Sequence, residues 1–313
     1  MKSQICLICY VIAFPFIRAK VLKNKKNTNV FQIIIVTLSS KARRYSVSAK
    51  KRMNSFVLLS TFRIFATKTL NIMDAKRILK YLKQLSANNS REWFQAHKQE
   101  YDAIRADFEQ GVRQAIVRIA SFDPSVAHLT VKDCTYRFYR DTRFSNDKSP
   151  YKTHLGAYIA AHGKKSLHGG YYLHLEPGHC MVCCGNYWLP TNILTSCRNE
   201  IMGNIDEWLR YVHSPEFLKY YGNPAPTSFK TPTDVSSWDQ PQGFGLERLK
   251  TCPSGFPRDW EYVEYLRQKD YCCWHRVPDT FFQGDQWLDD MQPMLLAAKP
   301  MMDMMNAVID DYE

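Results

Sequence analysis

One stretch of the sequence, TYRFYRDTRFSNDKSPYKTH at 135–154, concentrates positive charge beside five aromatic rings. Its acids are only Asp141 and Asp147, whereas its cations are five: Arg137, Arg140, Arg143, Lys148 and Lys152. Arginine presents a planar fork of N–H donors that matches the paired oxygens of a phosphate or carboxylate. The imbalance favours an anionic small ligand, which these residues would bind together with Tyr151 and His154.

The same residues also have a structural interpretation. Alternation along an extended YRFYR places Arg137 and Arg140 on opposite faces, so at least one of them lies on the more buried side. A buried guanidinium requires a carboxylate partner, and the nearest in sequence are Asp141, Asp147 and Glu176. A salt-bridged network of this kind would hold the loop 141–150 in place without binding a ligand.

A second group of polar residues lies in YYLHLEPG at 171–178. Strand alternation places Tyr172, His174 and Glu176 on one face, opposite the apolar residues. Beside a bound anion, His174 and Glu176 would serve as general acid and base, and they are the candidate catalytic residues if the protein is an enzyme. With His154 or His162 they would instead form a metal site of two histidines and one carboxylate.

We nevertheless expect no metal and no cofactor. A histidine beside Tyr and Glu on a sheet face is more commonly a hydrogen-bonded structural residue. The pairs Cys180-x-x-Cys183 and Cys272-x-x-His275 have zinc-like spacing, but residues three apart on a strand point to opposite faces. The sequence contains no complete P-loop, no G-x-S-x-G, no H-E-x-x-H and no dinucleotide-binding fingerprint.

A sheet and the helices around it must position these residues. Between 134 and 186, short aromatic and β-branched segments alternate with Gly, Pro, Asp and Asn, which predicts three or four antiparallel strands. YCCWHRV at 271–277 predicts another strand, and frequent Pro and Gly make 222–256 a long irregular connection. Apolar spacings of three and four predict helices over 73–85, 90–120, 191–213, 258–268 and from about Asp285, the last broken near Pro300.

The pattern therefore predicts an α+β domain, in which an antiparallel sheet carries the Arg-rich stretch and is packed by the helices at 90–120 and 191–213. The chain of 313 residues is 45% hydrophobic and 23% charged, which allows a substantial core and excludes a disordered chain. Its ten cysteines follow no disulfide framework, so we expect reduced thiols and a cytoplasmic location.

Charge divides the chain at Met73. The net charge is +12, but residues 1–72 contain fourteen Lys or Arg and no acid, whereas 73–313 has 28 basic and 30 acidic residues. Overall charge therefore says nothing about the partner of 73–313. We interpret 1–72 as a translated leader, with targeting or membrane association as the alternative. None of the apolar runs in 1–72 reaches the ~18 residues of a spanning helix. We expect no stable membrane insertion of 73–313.

The Arg-rich stretch resembles a known family. The hallmark R-x-x-R-D-x-R-F-x-x-x-[DN]-K-x-x-Y of the conserved bacterial proteins called domain of unknown function 2461 is matched by Arg137, Arg140, Asp141, Arg143, Phe144, Asp147, Lys148 and Tyr151. The resemblance extends to NNSREWFQAHKQEY, GGYYLHLEPG and LKTCPSGFPRDWEYVEYLRQKDY, and so spans essentially 73–313. It implies no particular activity.

We therefore expect a soluble protein that binds a phosphorylated or carboxylated small ligand, with an enzymatic role left open. The alternative is an interaction module for protein or nucleic acid that uses the same Arg and Tyr residues on an open face. A concave site where the arginines meet His174 and Glu176 would favour the first, and a flat basic stripe the second. The sequence specifies no oligomeric state.

Overall fold

The computed structural model describes residues 73–143, 145–224 and 240–313. The predicted extension 1–72, Phe144 of the hallmark, and 225–239 of the predicted irregular connection lie outside the described residues. Within the described ranges, no helix combines the length and the apolar content that a bilayer crossing requires.

An antiparallel sheet organises the described domain. Its strands are ordered β1-β2-β3-β5-β4, and their bounds are β1 Leu155–Ile159, β2 Gly170–Leu175, β3 Met181–Asn186, β4 Gln242–Phe244 and β5 Tyr271–Arg276. Every neighbouring pair is antiparallel, with Gly156 of β1 opposite His174 of β2. The predicted α+β class with an antiparallel sheet is confirmed.

The helices pack mainly around one long C-terminal helix. Their bounds are α1 Ala75–Ala87, α2 Arg91–Ala96, α3 Lys98–Ala120, α4 Val131–Cys134, α5 Thr191–Gly203, α6 Ile205–Val212, α7 Pro215–Tyr221, α8 Val263–Leu266 and α9 Trp287–Ile309. Helix α9 packs on β3 and contacts α3, α5, α6 and α7. Strand alternation then buries Tyr171, Leu173 and Leu175 of β2 in the core, as their spacing predicts.

Two helices that the apolar spacing predicts as continuous are each divided by one residue. The helix at 90–120 breaks at His97, whose ring stacks on Trp93 with the ring centroids 4.0 Å apart. The helix at 191–213 breaks at Asn204, which follows Gly203 and has φ −127° and ψ 43°. Glycine and asparagine have low helix propensity, and a single non-helical residue leaves the apolar stripe on both sides recognisable.

Two other helix predictions are wrong in extent. Helix α9 continues through Pro300, because the buried side chains of Met301, Met302 and Met305 hold it against the core and offset the ~3 kcal/mol that an interior proline costs. The predicted helix 258–268 is helical only over α8. Beyond α8 the backbone pairs with another segment instead, since the Leu249 N–H donates to the Arg267 carbonyl at 2.7 Å.

The Arg-rich stretch is a loop beside the sheet and not one of its strands, which corrects the sequence prediction. Only isolated bridges join Thr135 to Ala157 and Tyr139 to Tyr151. The loop closes on itself, because the Arg140 N–H donates to the Pro150 carbonyl and the Lys152 N–H donates to the Phe138 carbonyl, both at 3.0 Å. These bonds satisfy the backbone locally, so no continuous ladder forms.

A buried carboxylate organises the turn beside β5. Asp270, 3% exposed, accepts hydrogen bonds from the backbone N–H groups of Leu246 at 3.0 Å, Glu247 at 2.9 Å and Cys272 at 3.2 Å. Burial raises the pKa of Asp270 to about 6, while these three hydrogen bonds oppose the rise. The carboxylate therefore holds the segment that leaves β4 against the start of β5.

We expect Asp270→Ala to lower the free energy of unfolding by about 3 kcal/mol, since each buried N–H left without an acceptor costs about 1–3 kcal/mol. Urea denaturation of the full chain measures the change. Asp303→Ala is the matched control, because that carboxylate is exposed and pairs with Lys299 on the helix surface. Equal, small losses in both variants would contradict a structural role for Asp270.

Candidate functional site

A groove of about 1900 Å³ runs between helix α3, the segment 127–139 and the face of the sheet that carries Tyr172 and His174. We call this cavity the sheet groove. Exposed aromatic side chains lie along it, among them Tyr136, Tyr187 and Trp188, the last of which is 66% exposed. The cavity is concave, and its lining combines aromatic rings with charged groups.

Positive charge is concentrated in this groove. Its lining includes only two carboxylates, Glu109 and Glu176, against seven cations: Lys98, Arg105, Arg113, Lys132, Arg137, Lys152 and Lys164. Over 73–313, by contrast, acidic residues slightly outnumber basic ones. The fold therefore brings an excess of cations together in the groove, which the net charge of 73–313 does not reveal.

Three of the predicted site residues meet in the wall of the groove. The imidazoles of His154 and His174 stack with their centroids 4.6 Å apart. His174 Nε2 lies 3.1 Å from Glu176 Oε2, and the Thr153 hydroxyl donates to Glu176 Oε1 at 2.8 Å. On its other side, His174 Nδ1 lies 3.0 Å from the Tyr172 hydroxyl. Each polar atom of His174 and Glu176 therefore has a specific neighbour.

The electrostatics of the trio follow from this packing. Burial and, to a smaller extent, the neighbouring His174 lower the pKa of His154 to about 4, so His154 is neutral at physiological pH. Burial alone would raise the pKa of Glu176, but hydrogen bonds from His174 and Thr153 outweigh it and lower that pKa to about 2. The wall therefore presents a neutral imidazole beside an ionised carboxylate.

A glycine on the neighbouring strand makes room for this arrangement. Gly156 lies opposite His174 in the β1–β2 register, and a Cβ at Gly156 would stand 2.3 Å from the Tyr172 hydroxyl oxygen. Only the missing side chain lets the Tyr172 phenol lie across β1 and reach His174. The sequence analysis did not single out Gly156, although an isolated glycine within a strand pattern is a signal of close approach.

Lys152 and Arg137 are the two cations of the Arg-rich stretch that line the sheet groove. Lys152 is partly buried, and its ammonium stands 5.4 Å from the centre of the Tyr136 ring. Burial lowers the pKa of Lys152, and the charge of Arg137 lowers it further. Arg137 is exposed and lies 3.9 Å from Asp141, which is a loose ion pair.

The other charged residues of the stretch face elsewhere. Arg140 pairs with Asp147, and Arg143 grips both oxygens of Asp141 at 3.0 and 2.7 Å. Arg140 and Lys148 line a separate pocket of about 550 Å³, together with Tyr151. The structure thus divides the predicted site: Arg137, Lys152, His154, His174 and Glu176 line the sheet groove, while the rest close the loop or face the smaller pocket.

The guanidinium on the more buried side is that of Arg140, whose side chain is 26% exposed, against 70% for Arg137. Its partner is Asp147, one of the three carboxylates that the sequence suggests. Asp147 is itself held by the Ser149 N–H at 2.9 Å and hydroxyl at 2.6 Å, which, with Arg140, lower its pKa. This part of the stretch matches the structural interpretation.

Tyr151, predicted as a ligand-binding residue, is largely a core residue. It is 2% exposed, and its ring stacks on Phe94 with the centroids 4.1 Å apart. Asn89 holds its backbone from both sides, accepting from the Tyr151 N–H at 3.2 Å and donating to its carbonyl at 2.9 Å. The packing joins the end of the Arg-rich loop to the segment between α1 and α2.

The zinc-like cysteine spacing does not produce a cluster among the described residues. Cys183 and Cys272 line the sheet groove, whereas the Cys180 thiol donates to the Glu176 carbonyl at 3.3 Å and His275 Nδ1 lies 2.8 Å from the Tyr220 carbonyl. Burial raises the pKa of Cys183 and of Cys272 well above the ordinary value, so both are neutral thiols.

Comparison with known proteins identifies the family of this chain. The family described as Conserved hypothetical protein (DUF2461) matches residues 77–304. The chain belongs to this family. No curated protein and no solved structure matches the chain. Among the hallmark residues of this DUF2461 domain that the structure describes, Arg137 lines the sheet groove, whereas the others close the loop, line the smaller pocket or, like Tyr151, pack in the core.

We expect Tyr151→Ala to destabilise the DUF2461 domain by about 3–5 kcal/mol, because it removes a buried aromatic ring from the Phe94 stack. Tyr151→Phe should cost less than about 1 kcal/mol, since it keeps the ring. Urea unfolding measures both. Tyr139→Ala is the control, because that ring is 52% exposed. If Tyr151→Ala left the free energy of unfolding unchanged, the hallmark tyrosine would not be a core residue.

Proposed function

We propose that the DUF2461 domain binds an anionic small ligand in the sheet groove, with Lys152 and Arg137 as the groups that hold the negative charge. His154, His174 and Glu176 lie next to these cations along the wall. This is the anionic-ligand function that the sequence suggests, relocated from the whole Arg-rich stretch to the part of it that faces the groove.

The observation that carries the proposal is the setting of Lys152. Its ammonium is partly buried, its pKa is lowered by burial and by Arg137, and the described part of the chain places no carboxylate within ion-pair distance of it. A partly buried cation beside another cation is an unfavourable arrangement, which a bound anion would relieve. Arg140 and Arg143, in contrast, already pair with Asp147 and Asp141.

The aromatic lining supports an anion that carries an organic group. Tyr136 lies beneath the Lys152 ammonium, and Tyr187 and Trp188 are exposed along the same cavity. Such rings bury the apolar or aromatic part of a ligand while the cations hold its phosphate or carboxylate. The His174–Glu176 pair adds a proton donor and acceptor in the same wall, which general acid–base catalysis on a bound substrate would use.

An interaction module is the second candidate, and one observation favours it. The open groove is lined by seven cations and several exposed aromatic rings. Proteins that bind single-stranded nucleic acid use surfaces of this composition, in which bases stack on the rings and phosphates contact the cations. The two candidates differ in their contacts, since a strand of nucleic acid would extend to Trp188 and Tyr187, whereas a small anion needs only the vicinity of Lys152.

The test is the effect of phosphate, and of a phosphorylated aromatic compound, on thermal unfolding of the full chain. We expect saturable stabilisation that weakens with salt, reaching about 2.7 kcal/mol at a hundred times Kd. Lys152→Met should abolish this shift while leaving the unliganded melting temperature unchanged or higher, because it removes a partly buried charge. Lys148→Met is the matched control, since Lys148 lines the smaller pocket.

Loss of the shift in Lys148→Met but not in Lys152→Met would contradict the proposal and assign the anion to the smaller pocket. Fluorescence anisotropy with labelled oligo-dT distinguishes the second candidate. We expect no binding of oligo-dT under the conditions in which phosphate compounds saturate the protein. Binding that is strong, salt-sensitive and lost in Trp188→Ala would favour the interaction module instead.

A further inference from the structure

We propose that His154, His174 and Glu176 form a site for one divalent first-row transition-metal ion, open to the sheet groove. The proposal does not rest on the anion function, because Lys152 and Arg137, the groups proposed to hold the anion, are not among the metal ligands. It runs against the expectation from the sequence, which favours no metal because a histidine beside Tyr and Glu on a sheet face is more commonly a hydrogen-bonded structural residue.

The first argument is the convergence of ligand atoms. One ligand atom from each of the three residues lies within 4.8 Å of the other two, and His174 Nε2 is 3.1 Å from Glu176 Oε2. Metal–ligand bonds of about 2.0–2.2 Å place neighbouring ligand atoms roughly 3 Å apart. The His174–Glu176 pair already has this separation, and His154 needs a shift on the order of 1 Å to complete the set.

The second argument is that the outer atoms of the ligands are held. Tyr172 contacts His174 Nδ1 at 3.0 Å, and Thr153 donates to Glu176 Oε1 at 2.8 Å. In the structure His174 donates from Nε2 to Glu176, and metal binding requires the other tautomer, in which the proton lies on Nδ1 and is directed to the Tyr172 oxygen. The lone pair of Nε2 then points to the same place as Glu176 Oε2. Hydrogen bonds of this kind orient metal ligands and select the tautomer that binds.

The donor set selects the class of metal. Two imidazoles and one carboxylate suit Zn²⁺, Fe²⁺, Co²⁺ or Ni²⁺, whereas Mg²⁺ and Ca²⁺ prefer oxygen ligands. Three protein ligands leave at least one coordination position, and all three residues line the groove, so that position faces the cavity. Water or an anion from the groove would occupy it.

A second cluster of similar composition shows why convergence alone is not sufficient. His162, His168 and Glu313 also bring ligand atoms within 4.8 Å of one another. There, however, both ring nitrogens of the buried His168 are engaged by carboxylates, Nε2 by Asp310 and Nδ1 by Glu313, each at 2.7 Å. A metal at this cluster would displace one of these two carboxylate contacts of His168, one of which is to Asp310 outside the cluster, and the contacts instead join the C-terminal end of α9 to the loop before β2.

The test is a Co²⁺ titration of the untagged full chain after treatment with a chelator, followed by visible absorption and calorimetry. We expect one Co²⁺ per chain, with ligand-field bands in the visible range. Thr153→Val, which removes only the hydrogen bond on Oε1, should weaken binding about 10–100-fold, and Glu176→Gln and His154→Asn, which alter ligands, should each weaken it more. Circular dichroism and melting temperature establish that each variant is folded.

The matched control is His162→Asn, which removes a histidine of the second cluster and should leave the stoichiometry and affinity unchanged. Lys152→Met should also retain Co²⁺, so failure of the anion proposal and failure of the metal proposal can be told apart. The metal site is overturned if the parent chain binds no Co²⁺. It is equally overturned if the folded Glu176→Gln and His154→Asn variants bind it as tightly as the parent, or if His162→Asn abolishes binding.

Discussion

The antiparallel pairing of β1 with β2 is the constraint on which the rest of the site depends. Because successive side chains on a strand point to opposite faces, the register that buries Leu173 in the core must present His174 to the groove. A slip of one residue would reverse both faces at once. The apolar core therefore determines the position of the polar groups, and Gly156 provides the space that Tyr172 needs to support His174.

The Arg-rich loop depends on the same pairing through its ends. Backbone hydrogen bonds join Arg140 to Pro150 and Lys152 to Phe138, and the chain then enters β1 at Leu155. This closure places Lys152 and His154 at the start of β1, beside the partner strand that carries His174. The paired charges of Arg140 and Asp147 lie within the loop, so their contribution is to its shape, whereas Lys152 and Arg137 contribute charge to the groove.

The neighbourhood of Lys152, His154 and Glu176 joins the two proposals physically. A metal ion in the wall and cations beside it would both attract negative charge to the same end of the groove, and the exposed rings of Tyr187 and Trp188 lie along the same cavity. The chemistry of such a site would depend on water or an anion completing the metal coordination while Lys152 holds the charge.

The sequence by itself determined the fold class, the presence of β1, β2, β3, β5 and the longer helices, and the side-chain alternation of β2, because these follow from local periodicity. It did not show β4, which lies within the predicted irregular connection 222–256. Its signals also identified the residues of the Arg-rich stretch, but not which of them would turn towards His174. Tertiary structure decided that the stretch is a loop, that Tyr151 packs on Phe94, and that His154 stacks on His174. The reason is that pairing between strands and closure of a loop bring together residues far apart in the chain, and no local pattern encodes those distances. The same reason explains α9, which passes Pro300 because non-local packing outweighs a local helix-breaking preference.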